Sequence, residues 1–343
     1  MFMSFSVKND VDLTKLNTFR ITAKAKEFAD IETAEDLDSA ADFLAQHPEK
    51  RFLILGGGSD ILFSQDFDGI ILRNHLYGVE AAGEDEEFYY VTAASGEDWH
   101  SFILRTLDAK KPGLENLTLI PGTVGGAPIQ NIGAYGMEVA ERIHCVEYFD
   151  LKTKERKVLR NEECDFGYRT SVFKKPEMKN AFITSVTFKL PKKWEPVISY
   201  KDLREHLQSN HAPELHPTDI YNSVIAIRKR KLPSPHKLGS AGSFFKNPVL
   251  SREEFHALQE KNPSVVAYPM AGGRYKVSAA WLIDNAGLKG LRMGDVGVYE
   301  KQPLIIVNYG SAFGEDVVGM AQDIRVRVKN CFNVKLEPEV VIV

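Results

Sequence analysis

The stretch RFLILGGGSDILF, residues 51–63, decides between two kinds of nucleotide-binding fold. RFLIL is an apolar run of strand length, and the apolar runs ILF and IILRN (residues 70–74) follow it, so the glycines connect strand to strand. A dinucleotide fold of the Rossmann type requires G-x-G-x-x-G at the start of a helix. Here Ile61 stands in the third glycine position, and no helical period follows it. The sequence therefore predicts α+β layers without a Rossmann domain.

The composition is that of an ordinary globular protein large enough for two or three domains. The chain has 343 residues, of which 43% are hydrophobic and 26% charged. Its 43 Lys and Arg against 47 Asp and Glu give a net charge of −4, so nucleic acid is not expected as a partner. The first residues, MFMSFSVKND, have no apolar core of signal-peptide length, and no apolar segment is long enough to span a membrane. We therefore expect a cytoplasmic protein.

The cysteines indicate neither a disulfide framework nor a metal site. Cys145, Cys164 and Cys331 are far apart and odd in number, and no CxxC pair is present. The histidines do not cluster at metal-ligand spacing either. No metal is therefore expected, and the thiols are expected to be reduced packing residues.

A second glycine-rich segment, IPGTVGGAPIQNIGAYG (residues 120–136), carries five glycines and almost no charge. Glycine lets successive backbone N–H groups converge on an anion, so this loop and the loop at residues 56–58 could together hold a pyrophosphate. Neither loop contains GK[ST], which excludes the usual triphosphate-hydrolysing loop. The alternative, two tight turns with no ligand, is weakened by the polar Gln130 and Asn131 in the second loop.

The segment GSAGSFFKNP, residues 239–248, raises the question of what Ser243 does. A serine hydrolase would need a G-x-S-x-G elbow and a histidine base, but here Ser243 lies in A-G-S-F-F. His236 and His256 are near in sequence without a recognisable carboxylate partner. A hydrolase is therefore disfavoured.

A basic run, RKRK at residues 228–231, precedes that segment. A solvated face is the default interpretation of such a run. Lys231, however, is followed by Leu-Pro-Ser-Pro, whose prolines would hold the backbone extended and fix the lysine near an anionic substrate.

Taken together, these motifs resemble the UDP-N-acetylenolpyruvoylglucosamine reductase family over nearly the whole chain. Several motifs in family order are far more specific than one glycine loop. They are NTFRI (17–21), LILGGGSDILF (53–63), IPGTVGGAPIQNIGAYG (120–136), YRTSVFK (168–174), RKRKLPSP (228–235), GSAGSFFKNP (239–248) and LEPEV (336–340).

The resemblance implies an α+β protein with an FAD-binding fold of the vanillyl-alcohol-oxidase/PCMH type. Two α+β subdomains would bind FAD, and a C-terminal α+β domain would bind the substrate. The expected divisions are residues 1–78 together with the strand 334–343, residues 79–219, and residues 220–333. The segment EPVISYKDL, which carries Tyr200, is similar to the longer form of the family.

The resemblance also implies non-covalent FAD, with NADPH as the hydride-donating co-substrate. Backbone amides of both glycine loops would face the pyrophosphate, and Ile183 would touch FAD as well. The implied FAD contacts are Gly56, Gly57, Gly58, Ser59, Asp60, Pro121, Gly122, Thr123, Gly125, Gly126, Gln130, Asn131, Gly133, Ala134, Tyr135 and Ile183.

The implied reaction reduces UDP-N-acetylglucosamine enolpyruvate to UDP-N-acetylmuramate, a peptidoglycan precursor. Arg169 would stabilise the negative charge that hydride addition leaves on the substrate. Glu339 would act as an acid, its protonated form favoured by the apolar run that follows it. Ser243 would donate the proton to carbon, and substrate would be held by Tyr200, Lys231 and Asn247.

Two departures from the family pattern leave alternatives open. Asp60 stands where the family more commonly has asparagine, and GSAGS replaces GNAGS at Ser240. The chain could instead be another FAD oxidoreductase of the same fold, or a nucleotide-sugar binding protein without catalysis. NADPH reduction of a bound flavin distinguishes the first, and a colourless purified protein would indicate the second. A monomer is expected.

Overall fold

The structure is a computed structural model that describes residues 5–210, 214–234 and 237–343. Pro235 and His236, considered above, lie outside the described residues. The α-helices of the described chain are α1 (Ala34–Gln46), α2 (Trp99–Asp108), α3 (Lys201–Asn210), α4 (Pro217–Lys231), α5 (Arg252–Lys261), α6 (Ala279–Asn285) and α7 (Gly314–Phe332).

Short strands alternate with these helices along the chain. In chain order they are β1 (Lys8–Asp12), β2 (Lys24–Ile31), β3 (Phe52–Leu55), β4 (Ile61–Leu62), β5 (Phe67–Asn74), β6 (Val79–Glu84), β7 (Phe88–Ala94), β8 (Gly133–Ala134), β9 (Met137–Glu138), β10 (Ile143–Asp150), β11 (Glu155–Arg160), β12 (Ala181–Pro191), β13 (Val249–Leu250), β14 (Ala267–Pro269), β15 (Tyr275–Val277), β16 (Arg292–Met293), β17 (Val296–Val298), β18 (Ile306–Asn308) and β19 (Val341–Ile342).

The chain divides into two compact units. The first unit comprises residues 1–11, 25–57 and 68–230, and the second comprises residues 12–24, 58–67 and 231–343. Helices and strands are mixed in both, as the α+β prediction requires. No helix among the described residues is long and apolar enough to cross a membrane.

The first unit contains a four-stranded sheet in the order β1-β2-β5-β3, in which β3 and β5 pair in parallel. Helix α1 buries Leu37, Ala40 and Ala41, the face that its sequence spacing predicts. Thr33 caps the helix and forms a capping box with Asp36. The element that follows β3 is strand β4, as the absence of a helical period after Leu55 predicted.

A second sheet of this unit is antiparallel, in the order β11-β10-β12-β7-β6. Helix α2 packs Trp99, Phe102 and Ile103 into the same core as this sheet. The helical spacing of the apolar side chains in residues 96–111 indicates this helix, which begins at Trp99. The reason is Asp98, whose carboxylate accepts a hydrogen bond from Ser101 N at 2.8 Å and caps the helix there.

Helices α3 and α4 form a smaller core in the first unit. Its buried members are Leu203, Leu207, Ile220, Val224 and Ile227. Four partly buried side chains from outside the two helices also pack on this core, namely Tyr135, Trp194, Ile198 and Leu215.

The second unit has one large apolar core formed by α5, α6, α7 and short strands. The strands form the sheets β13-β15-β14 and β16-β17-β18, and β19 pairs in parallel with β4. Ser251 caps α5 and forms a capping box with Glu254. Of the predicted C-terminal strand run, Val341–Ile342 forms the named strand β19.

Candidate active site

The two glycine loops contact each other within the first unit. A Cβ added at Gly57 would lie 2.9 Å from Gly122 Cα, and one added at Gly56 would lie 2.8 Å from Thr123 Oγ1. At Gly57 the contact is with backbone, so a side chain has no room there, whereas at Gly56 a side chain would have to displace the Thr123 hydroxyl. The loops that the sequence paired as a pyrophosphate site therefore do lie side by side.

A second close approach fixes the beginning of the helical turn after Thr123. Gly125 N donates to Ser95 O at 2.8 Å, and a Cβ at Gly125 would lie 2.6 Å from Ser95 Cβ. The buried Asn74 side chain donates to Ser95 Oγ and to Ile183 O. Ile183 itself is 5% exposed, on strand β12, with its side chain in the core.

The remainder of this loop is held by the side chain of Asn131. Its amide donates to Glu138 Oε2 at 2.8 Å and to Gly167 O at 3.1 Å, and its oxygen accepts from Ala140 N. Asn131 also has a left-handed φ of 46°, which asparagine tolerates better than most residues. The Asn131 side chain thus shapes the loop, which leaves backbone atoms as its means of contacting a ligand.

Gln130 is different, because its Oε1 is buried with no hydrogen-bond partner among the described residues. Buried side-chain oxygens in proteins are nearly always paired. An unpaired acceptor in this loop is what a hydrogen-bonding ligand would satisfy.

Arg169 lies against the same loop. Its Nη2 donates to Gly133 O at 2.9 Å, and its guanidinium is 5.3 Å from the centre of the Tyr168 ring. The residue has a left-handed φ of 55°. Ser171 Oγ donates to Ile129 O at 2.6 Å, which fixes the other side of the turn. The predicted catalytic cation is therefore adjacent to the predicted FAD loop.

Tyr135 and Tyr200 also meet in the first unit. Their rings are edge-to-face with centres 5.2 Å apart. Burial raises the pKa of the Tyr135 hydroxyl, and Arg228 hydrogen-bonds to it. Burial likewise lowers the pKa of Arg228. The RKRK run is therefore not a solvated face at Arg228, because that guanidinium is buried against Tyr135.

The second unit brings the N-terminal motif NTFRI beside the GSAGS segment. Thr18 Oγ1 donates to Ser240 O at 2.7 Å, and Ser240 N donates to Thr18 O at 3.0 Å. Thr18 N also donates to Gly58 O, at 2.9 Å. Added Cβ atoms at Gly58 and Gly239 would lie 2.0 Å and 2.1 Å from the carbonyl oxygens of Leu16 and Phe19. These contacts explain the glycines of both motifs.

Ser243 and Glu339 are brought together in the second unit by main-chain pairing. Glu339 N donates to Phe244 O at 2.8 Å, and Lys246 N donates to Glu337 O at 3.0 Å. Phe244 is 0% exposed, whereas its neighbour Ser243 is exposed. Two motifs almost a hundred residues apart in sequence are therefore paired side by side.

The surroundings of Glu339 differ from the expectation. The sequence predicted that the apolar run after it would shield the carboxyl group, but Val341 and Ile342 are 46% and 42% exposed, and only Val340 is buried.

The remaining predicted ligands are held as follows. Asn247 Oδ1 accepts from Ala279 N at 2.9 Å, a bond that fixes the orientation of the side-chain amide. Lys231 is the last residue of α4, so helix α4 fixes it and not the extended prolines that the sequence suggested. Asp60 O accepts from Val341 N at 3.0 Å.

Sequence reasoning missed Asn116, a buried residue in the turn after α2. Its amide donates to Tyr135 O and to Val197 O. An asparagine among the apolar residues of LENLTLI is the available signal, because a polar residue in such a run is buried only where it has partners.

Comparison with known proteins agrees with this geometry. Residues 234–343 match the family model described as UDP-N-acetylenolpyruvoylglucosamine reductase, C-terminal domain, and residues 12–158 match one described as an FAD binding domain. A UDP-N-acetylenolpyruvoylglucosamine reductase of Burkholderia ambifaria is 44% identical over 99% of this chain and 98% of its own length. The one of Flavobacterium johnsoniae is 41% identical over 97% and 98%. The chain belongs to the UDP-N-acetylenolpyruvoylglucosamine reductase family.

A solved structure of a UDP-N-acetylenolpyruvoylglucosamine reductase, from Thermus caldophilus, covers 99% of this chain and 99% of its own, with 27% identity and a TM-score of 0.69. The predicted family and the FAD-binding α+β fold are thereby confirmed. The prediction of FAD as cofactor is confirmed as well.

The residues of the first unit also fit a flavin nucleotide on their own geometry. Two glycine loops lie in contact, and the unpaired Gln130 Oε1 adjoins them in sequence. Among the residues that the structure describes, no three His, Cys, Asp or Glu side chains are grouped as metal ligands. That no metal takes part stays a prediction.

Proposed function

We propose that this member of the UDP-N-acetylenolpyruvoylglucosamine reductase family reduces UDP-N-acetylglucosamine enolpyruvate to UDP-N-acetylmuramate with NADPH, in peptidoglycan precursor synthesis. The observation that carries the proposal is the main-chain pairing that places Glu339 one hydrogen bond from the residue after Ser243. A proton donor and an acid on paired segments are the groups that reduction of a vinyl ether requires beyond a hydride source.

FAD would be held by backbone groups of the glycine loops, by Gln130 and by Ile183. FAD, when bound, would pass a hydride from NADPH to the terminal vinyl carbon of the substrate. The residues assigned to the cofactor are Gly56, Gly57, Gly58, Ser59, Asp60, Pro121, Gly122, Thr123, Gly125, Gly126, Gln130, Asn131, Gly133, Ala134, Tyr135 and Ile183.

Arg169 would stabilise the charge that develops on the substrate. Hydride addition leaves a carbanion next to the substrate carboxylate, and its charge delocalises onto the two carboxylate oxygens. A guanidinium can bind both oxygens with two parallel hydrogen bonds. The hydrogen bond from Nη2 to Gly133 O fixes the plane of the guanidinium before the substrate arrives. A fixed donor costs no reorganisation during the reaction, which supports this role.

Glu339 and Ser243 would complete the reaction on the substrate. Glu339, as a carboxylic acid, would donate a hydrogen bond to the same carboxylate, and Ser243 would donate a proton to the carbanion carbon. Tyr200 and Lys231 would hold the diphosphate, and Asn247 would hold the sugar.

Ser243→Ala tests this assignment most directly. The variant lacks the proton donor and retains the paired main chain. We expect anaerobic flavin reduction by NADPH to stay within about twofold of the wild type and reoxidation by the enolpyruvyl substrate to slow by about a thousandfold. Stopped-flow absorbance of the flavin measures both half-reactions.

Ser240→Ala is the matched control, since Ser240 lies in the same motif but contributes its backbone to the Thr18 contacts. Both half-reactions should be unchanged in it. Equal slowing of both half-reactions in Ser243→Ala would contradict the proton-donor role. A wild-type protein whose reduced flavin is not reoxidised by this substrate would contradict the proposed function itself.

Four wider assignments belong to the same proposal. The chain would comprise an FAD-binding subdomain of residues 1–78 with 334–343, a second of residues 79–219, and a substrate domain of residues 220–333. The protein would act as a cytoplasmic monomer on small-molecule substrates, without nucleic acid or membrane. Sedimentation of the purified protein tests the monomer.

A further inference from the structure

The turn after α2 contains two adjacent polar residues that are almost fully buried. Glu115 is 2% exposed and Asn116 is 1% exposed. Burying a polar group costs free energy unless it forms hydrogen bonds, so the hydrogen-bond partners of these two residues indicate the role of the turn. Both residues bond to the segment of residues 194–200, which ends at Tyr200.

Asn116 joins two separate parts of the chain with one amide group. Its Nδ2 donates to Tyr135 O at 2.9 Å and to Val197 O at 2.8 Å. Tyr135 belongs to the glycine-rich loop, and Val197 precedes Tyr200 by three residues. Glu115 adds a second tie, because its carboxylate accepts a hydrogen bond from the indole N–H of Trp194.

Gly136 lets the same two parts approach closely. A Cβ added there would lie 2.4 Å from Ser199 Oγ and 3.5 Å from Tyr200 N. Its φ of +87° is also in the region that favours glycine. The absence of a side chain at Gly136 is therefore a condition for the segment of residues 194–200 to lie where it does.

Packing on one core completes the arrangement. Trp194, Ile198 and Tyr135 all contact the apolar core of α3 and α4. The Tyr200 ring lies edge-to-face on the Tyr135 ring, whose hydroxyl is hydrogen-bonded by the buried Arg228. Tyr200 itself is 41% exposed, so the ordered segment presents part of an aromatic side chain to solvent.

We infer that Asn116 is a positioning residue that latches the Tyr200 segment onto the glycine-rich loop and so sets the affinity for the substrate's diphosphate. This inference rests on the proposed function, in which Tyr200 contacts that diphosphate. A latched segment has already lost its conformational freedom before substrate binds, so less of the binding free energy is spent on ordering it. Asn116 touches neither reacting atoms nor NADPH in this assignment.

Asn116→Asp tests the latch with the smallest change of shape. The carboxylate has no N–H to donate and would face two carbonyl oxygens, so both hydrogen bonds are lost. We expect KM for UDP-N-acetylglucosamine enolpyruvate to rise about tenfold to a hundredfold, while flavin reduction by NADPH changes by less than about twofold. Gly136→Ala, which crowds Ser199 without altering Asn116, should show the same split.

Asn161→Asp is the matched control. Asn161 Nδ2 also donates to two carbonyl oxygens, those of Ala140 and Ile143, both at 2.8 Å, but Asn161 does not bond to the Tyr200 segment. The same chemical change there should leave KM for the enolpyruvyl substrate unaltered. Equal KM increases in Asn116→Asp and Asn161→Asp would overturn the latch in favour of general destabilisation.

Trp194 provides a readout that does not depend on activity. Release of the segment should expose the indole, so acrylamide should quench Trp194 emission more strongly in Asn116→Asp than in the wild type. Comparing each protein with its Trp194→Phe partner removes the signals of Trp99 and Trp281. Unchanged Trp194 quenching together with unchanged KM would overturn the inference. If the wild type fails to reduce the substrate, the proposed function fails, and the quenching comparison still decides whether Asn116 holds the segment.

Discussion

The residues assigned to catalysis are held by different means in the first and the second unit. In the first unit, side chains position the loops: Asn131 and Ser171 bond to main-chain groups, and Arg169 itself donates to Gly133 O. In the second unit, the segments that carry Ser243 and Glu339 are paired through main-chain hydrogen bonds. In the proposed function, chemical and structural roles therefore coincide at Arg169 but are divided at Ser243 and Glu339.

This difference has a consequence for how substitutions should behave. Where main-chain hydrogen bonds position a segment, a change of side chain leaves the segment in place and alters only the chemistry. The exceptions are glycines at which two backbone segments are in contact, since any side chain there would displace the neighbouring backbone. Where a side chain does the positioning, its loss alters the chemistry and the stability together.

Gly239→Ala should produce the largest loss of stability, because the new Cβ would lie 2.1 Å from the carbonyl oxygen of Phe19. We expect the free energy of unfolding to fall by at least about 3 kcal/mol. Gly242→Ala, in the same motif, has open space and a φ of +71°, so it should cost only about 1–2 kcal/mol for the left-handed backbone. Urea unfolding followed by circular dichroism compares them, and equal losses would refute the main-chain account.

Arg169→Lys and Glu339→Gln test whether each side chain contributes to stability as well as to the reaction, with smaller effects on stability than Gly239→Ala. The lysine cannot form two parallel hydrogen bonds and loses the contact with Gly133 O, so we expect about a hundredfold slower flavin reoxidation and about 1 kcal/mol lower stability.

Glu339→Gln should slow the same half-reaction while changing the free energy of unfolding by less than about 0.5 kcal/mol. A destabilised Glu339→Gln variant would show that the side chain also supports the frame.

Local patterns predicted much of the fold correctly. The capping patterns at Thr33 and Ser251 can be read in the sequence and coincide with the starts of α1 and α5, because a cap is formed by residues adjacent in sequence. The missing third glycine at Ile61 correctly excluded a Rossmann domain. The pairing of the two glycine loops was anticipated from composition alone, since both loops are built for close backbone approach.

Features that depend on distant packing were not predictable in the same way. The basic run gave no sign that Arg228 would be buried, since its partner Tyr135 lies far away in sequence. Asn116 likewise acquires its meaning only from Tyr135 and Val197. The nearness of Ser243 to Glu339 was expected solely through the family resemblance, and main-chain pairing now supplies the physical reason.

The smallest expected effect is a pH dependence of the stability of the first unit, caused by the side chain of His100. Burial, followed by the charge of Arg228, lowers the pKa of His100, and Asp98 opposes the shift. The neutral ring stacks on Tyr221, and its Nδ1 accepts from Leu119 N at 3.4 Å, a bond that protonation would remove. Below the ordinary value of 6.5, the unfolded chain binds a proton that the folded chain resists, so stability is complete above that pH and declines as the pH falls toward the lowered pKa.

His100→Phe should keep the ring stack and remove this proton from the linkage. We therefore expect its urea midpoint to decline less steeply below pH 6.5 than that of the wild type, with parallel behaviour above it. His75, in the same unit, also has a pKa lowered by burial, so part of the decline should persist in His100→Phe. Measured in a Trp281→Phe background, tryptophan emission reports the first unit, because the remaining Trp99 and Trp194 both lie there. Coincident pH profiles for the two proteins would mean that His100 takes up its proton equally in the folded and unfolded chains. Neutral His100 would then contribute nothing to the stability of the first unit.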